Sequence, residues 1–270
     1  MSPFLPPEIL DLIVDHLSEY ERTTLRVCCL VSQSWVPRAR RRLFFRIEFS
    51  SQSSIQLWIK AFPDPSTSLA HYTRVLTLDG FVTIETLGTR AYPWAHAFHH
   101  LVELRLINRN GQGVISLPPP RALVLTPFHG LFPTLKSLSI YRSFIPPSEL
   151  PSLICSFPLL KDLRLSPFPT RHTAAISERN TPSTSPELTG ALHLSNEVGS
   201  VLPMLLGLPN HCFRFSKILM RCRRVHDSDL TGDLVLKCSD ALEFLSVVYY
   251  TFESTFSLTC TVAQYLTSTH

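Results

Sequence analysis

The sequence has 270 residues, of which 44% are hydrophobic and 17% are charged, and its net charge is +4. This composition is far from that of disordered chains and predicts one large or two ordinary packed domains. The charge is too balanced for a surface built throughout to hold nucleic acid or anionic lipid, so we expect neither kind of partner. Only 9 residues are glycine, which disfavours glycine-rich phosphate-binding loops.

Cysteine usage and hydropathy indicate an intracellular location. The 7 cysteines are odd in number and include no C-x-x-C pair, which is typical of a reduced chain. Glu8, Asp11 and Asp15 interrupt the first apolar segment, unlike the core of a secretory signal. The longest apolar stretch, around residues 201–208, is too short to span a bilayer. We therefore expect a cytoplasmic or nuclear protein without a membrane anchor.

Three short amphipathic helices are predicted in the first 48 residues. The first follows two prolines, a favourable helix start, and its apolar stripe comprises Ile9, Leu12, Ile13, His16 and Leu17. The second begins at Thr23 or Thr24, and its common face comprises Leu25, Cys28, Cys29, Ser32 and Trp35. Pro37 opens a third helix over residues 38–46. Helices this short bury too little surface alone, so they must pack on the rest of the chain or on a partner.

The apolar positions of this segment resemble those of an F-box, over the run LPPEILDLIVDHLSEYERTTLRVCCLVSQSWVPRARRRLFFRIEF. The resemblance implies a helical docking domain over residues 1–48 that binds a Skp-type adaptor and, through it, a cullin ubiquitin ligase. The contact or scaffold positions that it implies are Leu5, Pro6, Ile9, Leu10, Ile13 and Trp35. The same stripe is also compatible with a closed three-helix core, because core and interface share one periodicity.

A run of arginines lies in the predicted third helix. Its members are Arg38, Arg40, Arg41, Arg42 and Arg46. No ribonucleoprotein pattern or zinc-finger spacing accompanies the run, so we predict a solvated helix face and no nucleic-acid site.

The remaining residues, 49–270, carry a degenerate repeat. The spacing Phe-x-x-Leu-x-x-Leu-x-Leu (or Ile) occurs over residues 98–106, 132–140 and 157–165. Weaker copies end at Leu78, Leu194, Met220 and Val247. The final positions of successive copies lie 25 to 34 residues apart, close to the period of leucine-rich repeats. Each unit buries its leucines only by stacking on its neighbours. A short helix predicted over residues 147–155 makes the expected unit strand, loop, helix.

This pattern resembles the irregular leucine-rich repeats of F-box proteins. The resemblance implies an α/β fold in which a solenoid of short parallel strands and helices follows the F-box. The asparagine expected three residues after the final leucine is replaced by Arg109, Ser143 and Phe168 in the three strong copies, which predicts irregular curvature. A Ser/Thr/Pro-rich surface loop is expected at about residues 166–187. Its Ser-Pro and Thr-Pro pairs at Ser166, Thr181 and Ser185 are candidate sites for proline-directed kinases, whereas an unmodified loop is the more common case.

The residue between the two final apolar positions of each copy faces away from the core, on the concave side of such an array. The column predicted in this way is Thr77, Arg105, Ser139, Arg164, His193, Leu219 and Ser246. Its two arginines and histidine favour a somewhat acidic ligand, whereas solvated polar positions are the simpler interpretation.

No hydrolase, phosphate-loop, dinucleotide or zincin motif occurs, so we expect no catalytic residues, no cofactor and no metal. The histidines and cysteines His96, His99, His100, Cys212, Cys222 and His226 lack the spacing of a zinc module. An enzyme whose site is assembled from unlinked residues would need an enclosed pocket with converging titratable groups.

The sequence therefore predicts a non-catalytic adaptor of a cullin-type ubiquitin ligase. Its F-box docks to a Skp-type adaptor, and its repeat array binds an unidentified protein substrate. The alternative is a leucine-rich-repeat scaffold without a ligase link, in which the first helices only cap the end of the array.

Overall fold

The computed structural model of the chain describes residues 6–18, 21–79, 93–107, 131–141, 150–166, 186–195, 198–222, 228–250 and 255–261. Within these ranges the α-helices are α1 (Pro7–His16), α2 (Arg22–Val31), α3 (Val36–Leu43), α4 (Gln52–Ala61), α5 (Leu150–Cys155), α6 (Leu202–Leu206) and α7 (Ser228–Cys238). The strands are β1 (Arg46–Phe49), β2 (Val75–Asp79), β3 (Glu103–Ile107), β4 (Ser137–Tyr141), β5 (Asp162–Ser166), β6 (Ala191–Ser195), β7 (Lys217–Cys222), β8 (Phe244–Tyr250) and β9 (Thr255–Thr261). Short 3-10 turns lie at Leu69–Tyr72, Pro93–Phe98, Val198–Ser200 and Asn210–Cys212.

The described strands form one sheet whose spatial order follows the sequence from β1 to β9. Strands β1 to β8 pair in parallel, and β9 is antiparallel to β8. Parallel neighbours require the chain to return to the same end of the sheet between strands, which is the role of the intervening helices and turns. The chain therefore has the α/β fold class that its sequence predicts.

The leucines of the repeat lie in two rows on one face of the sheet. The first row comprises Ile47, Leu76, Leu104, Leu138, Leu163, Leu192, Ile218 and Leu245, and the second comprises Phe49, Leu78, Leu106, Ile140, Leu165, Leu194, Met220 and Val247. All except Leu245 are buried, and helices α5, α6 and α7 add Leu153, Leu205 and Leu234 to the same core. The short helix predicted over residues 147–155 is confirmed over its described part as α5.

The Phe-x-x-Leu part of each strong copy forms a hydrogen-bonded turn. The leucine amide donates to the phenylalanine carbonyl in every copy: Leu101 to Phe98 at 3.0 Å, Leu135 to Phe132 at 3.1 Å and Leu160 to Phe157 at 3.1 Å. These six side chains are at most 1% exposed. The turn thus buries two apolar side chains immediately before the strand begins, which explains why the spacing recurs.

The third helix is shorter than the residues 38–46 predicted from the sequence. Helix α3 ends at Leu43, and β1 follows it. Ile47 and Phe49 are 5% and 3% exposed, on either side of the exposed Glu48, which is the alternation of a strand. The predicted domain boundary at residue 48 therefore falls inside a strand of the sheet.

The three N-terminal helices share a small core of their own. Its buried members are Val14, Leu25, Cys28 and Ala39, and the side chains packed on them are Leu17, Cys29, Trp35 and Leu43. Helix α1 turns Val14 inward, whereas Ile9, Leu12 and Ile13 of its predicted stripe are 42% to 54% exposed. Helix α2 begins at Arg22, so the two threonines predicted to start it lie in its first turn.

Two arginines of α3 hold α1 in place. Arg38 lies 2.8 Å from the Asp11 carboxylate and 2.6 Å from that of Asp15. Arg42 lies 3.6 Å from the Asp15 carboxylate and donates to its carbonyl oxygen. Partly exposed pairs of this kind contribute up to about 1 kcal/mol each, but together they fix the angle between the two helices. The predicted solvated face is thus wrong for these two arginines, while the two that lie between them are exposed.

The first residue of the loop predicted at about residues 166–187 belongs to the sheet. Ser166 is the last residue of β5 and is 5% exposed, so its hydroxyl is buried, unlike that of a surface-loop residue. Thr181 and Ser185 lie outside the described residues.

The turn before β6 is tied to β5 through a carboxylate. Oδ1 of Asp162 accepts a hydrogen bond from the Ala191 amide at 2.7 Å. A Cβ on Gly190 would lie 2.2 Å from that same oxygen. Glycine is required at this position because the carboxylate approaches the backbone so closely.

We expect Leu138→Ala to lower the free energy of unfolding by about 2–5 kcal/mol, because Leu138 is fully buried in the leucine core. The control is Leu159→Ala, whose side chain is 52% exposed and whose loss should change stability by about 0.5 kcal/mol or less. Urea unfolding followed by circular dichroism measures both, and equal effects would contradict this core.

Gly190→Ala should lower the free energy of unfolding by about 1 kcal/mol, because Asp162 must move and release the Ala191 amide. Gly232→Ala in α7 is the matched control, since its added Cβ meets no atom within 4 Å. That substitution should raise stability by about 0.5–1 kcal/mol, because alanine favours a helix. Thermal unfolding compares the two variants, and stabilisation by both would argue against the Asp162 contact.

Candidate functional site: two protein-binding surfaces

The predicted column forms one continuous row across the sheet. Backbone pairing aligns Thr77, Arg105, Ser139, Arg164, His193, Leu219 and Ser246, in that order, from β2 to β8. Glu48 of β1 extends the row at one end. Sequence reasoning missed Glu48 because it placed residues up to 48 in the N-terminal helical domain, although the Ile47-x-Phe49 spacing is that of the repeat. Because strand residues alternate between faces, the row lies opposite the leucine core; we call this side the outer face.

In this row, the exposed fraction of a side chain depends on its own length and on the length of its cross-strand neighbours. Thr77 and Ser139 are 3% and 1% exposed, while their longer neighbours Arg105 and Arg164 are partly exposed. Cross-strand neighbours lie about 4.5–5.5 Å apart, so a short side chain between two long ones is covered. The accessible part of the outer face is therefore set by the arginines and by the residues beyond them, His193 and Leu219.

The two arginines of the row have different surroundings. Nε of Arg105 lies 2.7 Å from Oε1 of Glu103, so its charge is balanced on its own strand. Arg164 has no ion-pair partner among the described residues, and its Nε is buried without a hydrogen bond. The Ser139 hydroxyl on the neighbouring strand is buried and likewise unpaired in the described structure. Among the described residues, no carboxylate forms an ion pair with Arg164, which lies near the middle of the sheet.

His193 lies beside Arg164 in the row. Burial lowers the pKa of His193, the Arg164 charge lowers it further, and the Asp162 carboxylate opposes both effects. Asp162 is also engaged with the Ala191 amide. His193 is therefore neutral near pH 7, and the net charge around it comes from Arg164.

The residues implied for Skp binding lie on the N-terminal helices. Pro6 is exposed, and Ile9 and Ile13 on α1 are both 42% exposed. Trp35 is half-buried against the small core, where its Nε1 has no partner among the described groups. Leu5 lies outside the described residues; Leu10 belongs to α1, but its side chain is not described.

Sequence reasoning missed most of the exposed apolar surface of these helices. Leu12 on α1 is 54% exposed, and Val27, Leu30 and Val31 on α2 are 52%, 86% and 64% exposed. The last three have spacing i, i+3 and i+4, a second stripe that the periodicity of α2 contains. We call Ile9, Leu12 and Ile13 the α1 patch, and Val27, Leu30 and Val31 the α2 patch.

The scattered histidines and cysteines do not come together. His96, His99 and His100 are exposed near one turn, whereas Cys212 and Cys222 are buried in the leucine core. Across the described ranges, no three histidine, cysteine or acidic residues are placed to hold a metal ion. His226 lies outside those ranges. Burial also raises the pKa of the Cys238 thiol to about 11, which keeps it protonated at neutral pH.

An open cleft of about 510 Å³ lies at the amino-terminal ends of β6, β7 and β8. Its lining includes Glu187, Arg214, Asp240 and Glu243. Arg214 donates to Glu187 at 2.9 Å, and both side chains are more than half exposed. The cleft is solvated, unlike the enclosed pocket that the enzyme alternative requires.

No protein-family model matches the chain, and no curated protein matches it. None of the described helices is both long enough and apolar enough to cross a membrane. Function is therefore inferred from the two surfaces and from the resemblance seen in the sequence.

We expect an NMR titration to place the pKa of His193 below 6.5. Arg164→Gln should raise this pKa by removing the neighbouring charge, and Asp162→Asn should lower it further. Because the folded state binds the His193 proton less tightly than the unfolded state, the stability this group contributes is present above pH 6.5 and is lost as the pH falls below it. A His193 pKa that ignores both substitutions would contradict this arrangement.

Proposed function

We propose that the chain is a non-catalytic adaptor of a cullin-type ubiquitin ligase. In this proposal, helices α1 to α3 are an F-box that docks on a Skp-type adaptor. Residues 49–270 are a degenerate leucine-rich-repeat array, and its outer face binds the protein to be modified. Function then arises by proximity, because two binding surfaces on one frame hold the substrate near the transferred ubiquitin.

The exposed apolar side chains of α1 and α2 carry this proposal. Six of the nine large hydrophobic side chains that are strongly exposed in the described structure belong to the α1 and α2 patches. A side chain of this kind contributes up to about 1.5–3 kcal/mol to the binding free energy when a partner takes it fully out of water. Apolar surface concentrated in this way on a short helical module is typical of an interaction site.

The same observation weighs against the scaffold alternative. A cap that only shields the end of the array needs its apolar side chains turned toward the leucine core. The α1 and α2 patches instead face solvent, and the small core beneath them is separate from the leucine core. Docking on a second protein explains why they stay uncovered.

We expect the wild-type chain to co-purify with a co-expressed Skp-type adaptor. Leu30→Asp should lower the recovered adaptor at least tenfold, because it places a charge in an apolar interface. At 86% exposure, Leu30 takes no part in the small core, so the substitution leaves the fold intact. Ile9→Asp tests the α1 patch in the same way.

The matched control is Leu236→Asp, which changes a side chain that is 73% exposed on α7, outside the N-terminal helices. This variant should recover as much adaptor as the wild type, and all variants should unfold at similar temperatures. A folded wild-type chain that recovers no adaptor would overturn the ligase proposal and leave the scaffold alternative ahead.

A further inference from the structure

The outer face carries a cluster of cations on β5 and β7. Lys217 and Arg221 are exposed at the two ends of the outer side of β7, with the half-buried Leu219 between them. Arg164 lies two strands away, and His193 stands between it and Leu219. We call Arg164, Lys217 and Arg221 the cationic patch.

The carboxylates of the neighbouring outer face balance this patch only in part. Glu103 is paired with Arg105 at 2.7 Å. Asp162 accepts from the Ala191 amide at 2.7 Å and keeps its charge, but its effect at His193 is smaller than that of Arg164. None of the three cations has an ion-pair partner within the described residues, in contrast to Arg38, Arg42, Arg105 and Arg214, which all do.

The spacing of the patch matches an extended peptide. Arg221 lies four residue steps after Lys217 in β7, which at about 3.3 Å per residue is about 13 Å. An extended segment that runs along β7 places its side chains i, i+2 and i+4 on one side. Acidic side chains at i and i+4 then meet the two cations, and an apolar side chain at i+2 meets Leu219.

We infer that the cationic patch binds an extended acidic segment of the recruited protein, with carboxylates at positions i and i+4 and an apolar residue at i+2. Arg164, which is partly exposed beside His193, receives a further carboxylate. The inference names the substrate chemistry of the proposed adaptor and rests on that function. Charge complementarity selects this occupant, because a basic or neutral segment would leave the patch unbalanced.

The test uses the full chain and an immobilised peptide that displays Glu-Ser-Leu-Ser-Glu between glycine spacers. The control peptide replaces both glutamates with glutamine. We expect the acidic peptide to bind at least tenfold more tightly than the control, and we expect the difference to shrink in high salt because the contacts are solvent-exposed. Equal binding of the two peptides would overturn the inference.

Substitutions in the chain test whether the acidic peptide binds at the cationic patch. Lys217→Gln and Arg221→Gln should each weaken binding of the acidic peptide about threefold, and together about tenfold, which is the range of exposed ion pairs. Arg214→Gln is the matched control: its side chain is exposed but already paired with Glu187 outside the outer face, and it should leave binding within twofold. Equal loss in all three single variants would show nonspecific attraction and overturn the inference.

A third peptide carries phosphoserine in place of each glutamate and separates carboxylate from phosphate recognition. Binding of the phosphopeptide alone would overturn the carboxylate assignment. Recovery of the Skp-type adaptor by the Lys217→Gln, Arg221→Gln double variant separates the two proposals. A variant that loses the peptide and keeps the adaptor supports this inference, whereas a wild-type chain that binds the adaptor but not the acidic peptide overturns the inference alone.

Discussion

The in-register stacking of parallel strands is the constraint on which the described structure depends. Each strand pairs only with its neighbours in the sequence, and the two leucine rows stay aligned from β1 to β8. Because side chains alternate with a period of two, a slip of one residue in any strand would expose its leucines and bury its polar residue. The register that closes the core therefore also fixes which residues reach the outer face.

The N-terminal helices follow a different rule. Among the described residues their core has four buried apolar side chains, too few to stabilise a module of this size without help. The α3 arginines pair with the aspartates of α1, and α3 leads directly into β1. The module is thus joined to the sheet through α3, and its apolar patches are exposed, which suits a docking surface.

The two candidate surfaces differ in chemistry as well as in place. The α1 and α2 patches are apolar and suit an interface that excludes water. The outer face is polar, with charges that are paired in some strands and unpaired in others, and it suits selection by charge. An adaptor needs both properties, because one partner is constant and the other must be discriminated. The proposed function requires no bond chemistry from the chain itself.

The sequence by itself determined the class of fold, the positions of strands β2 to β8 and the row on the outer face. It did so because the L-x-L spacing recurs, and stacking allows only one register for such copies. Only the tertiary structure decided which charged side chains form ion pairs. Arg105 and Arg164 occupy equivalent positions in the repeat, but only Arg105 has a carboxylate two residues before it that turns toward it.

The sequence also did not determine which apolar side chains of the N-terminal helices are buried. Val14 and Ile13 are adjacent and similar in hydropathy, yet one is 1% exposed and the other 42%. Their periodicity is compatible with either facing the core, and the choice depends on where Arg38 and Arg42 hold α1. The β1 strand was missed for a related reason: its four residues show strand alternation, but only pairing with β2 makes them a strand.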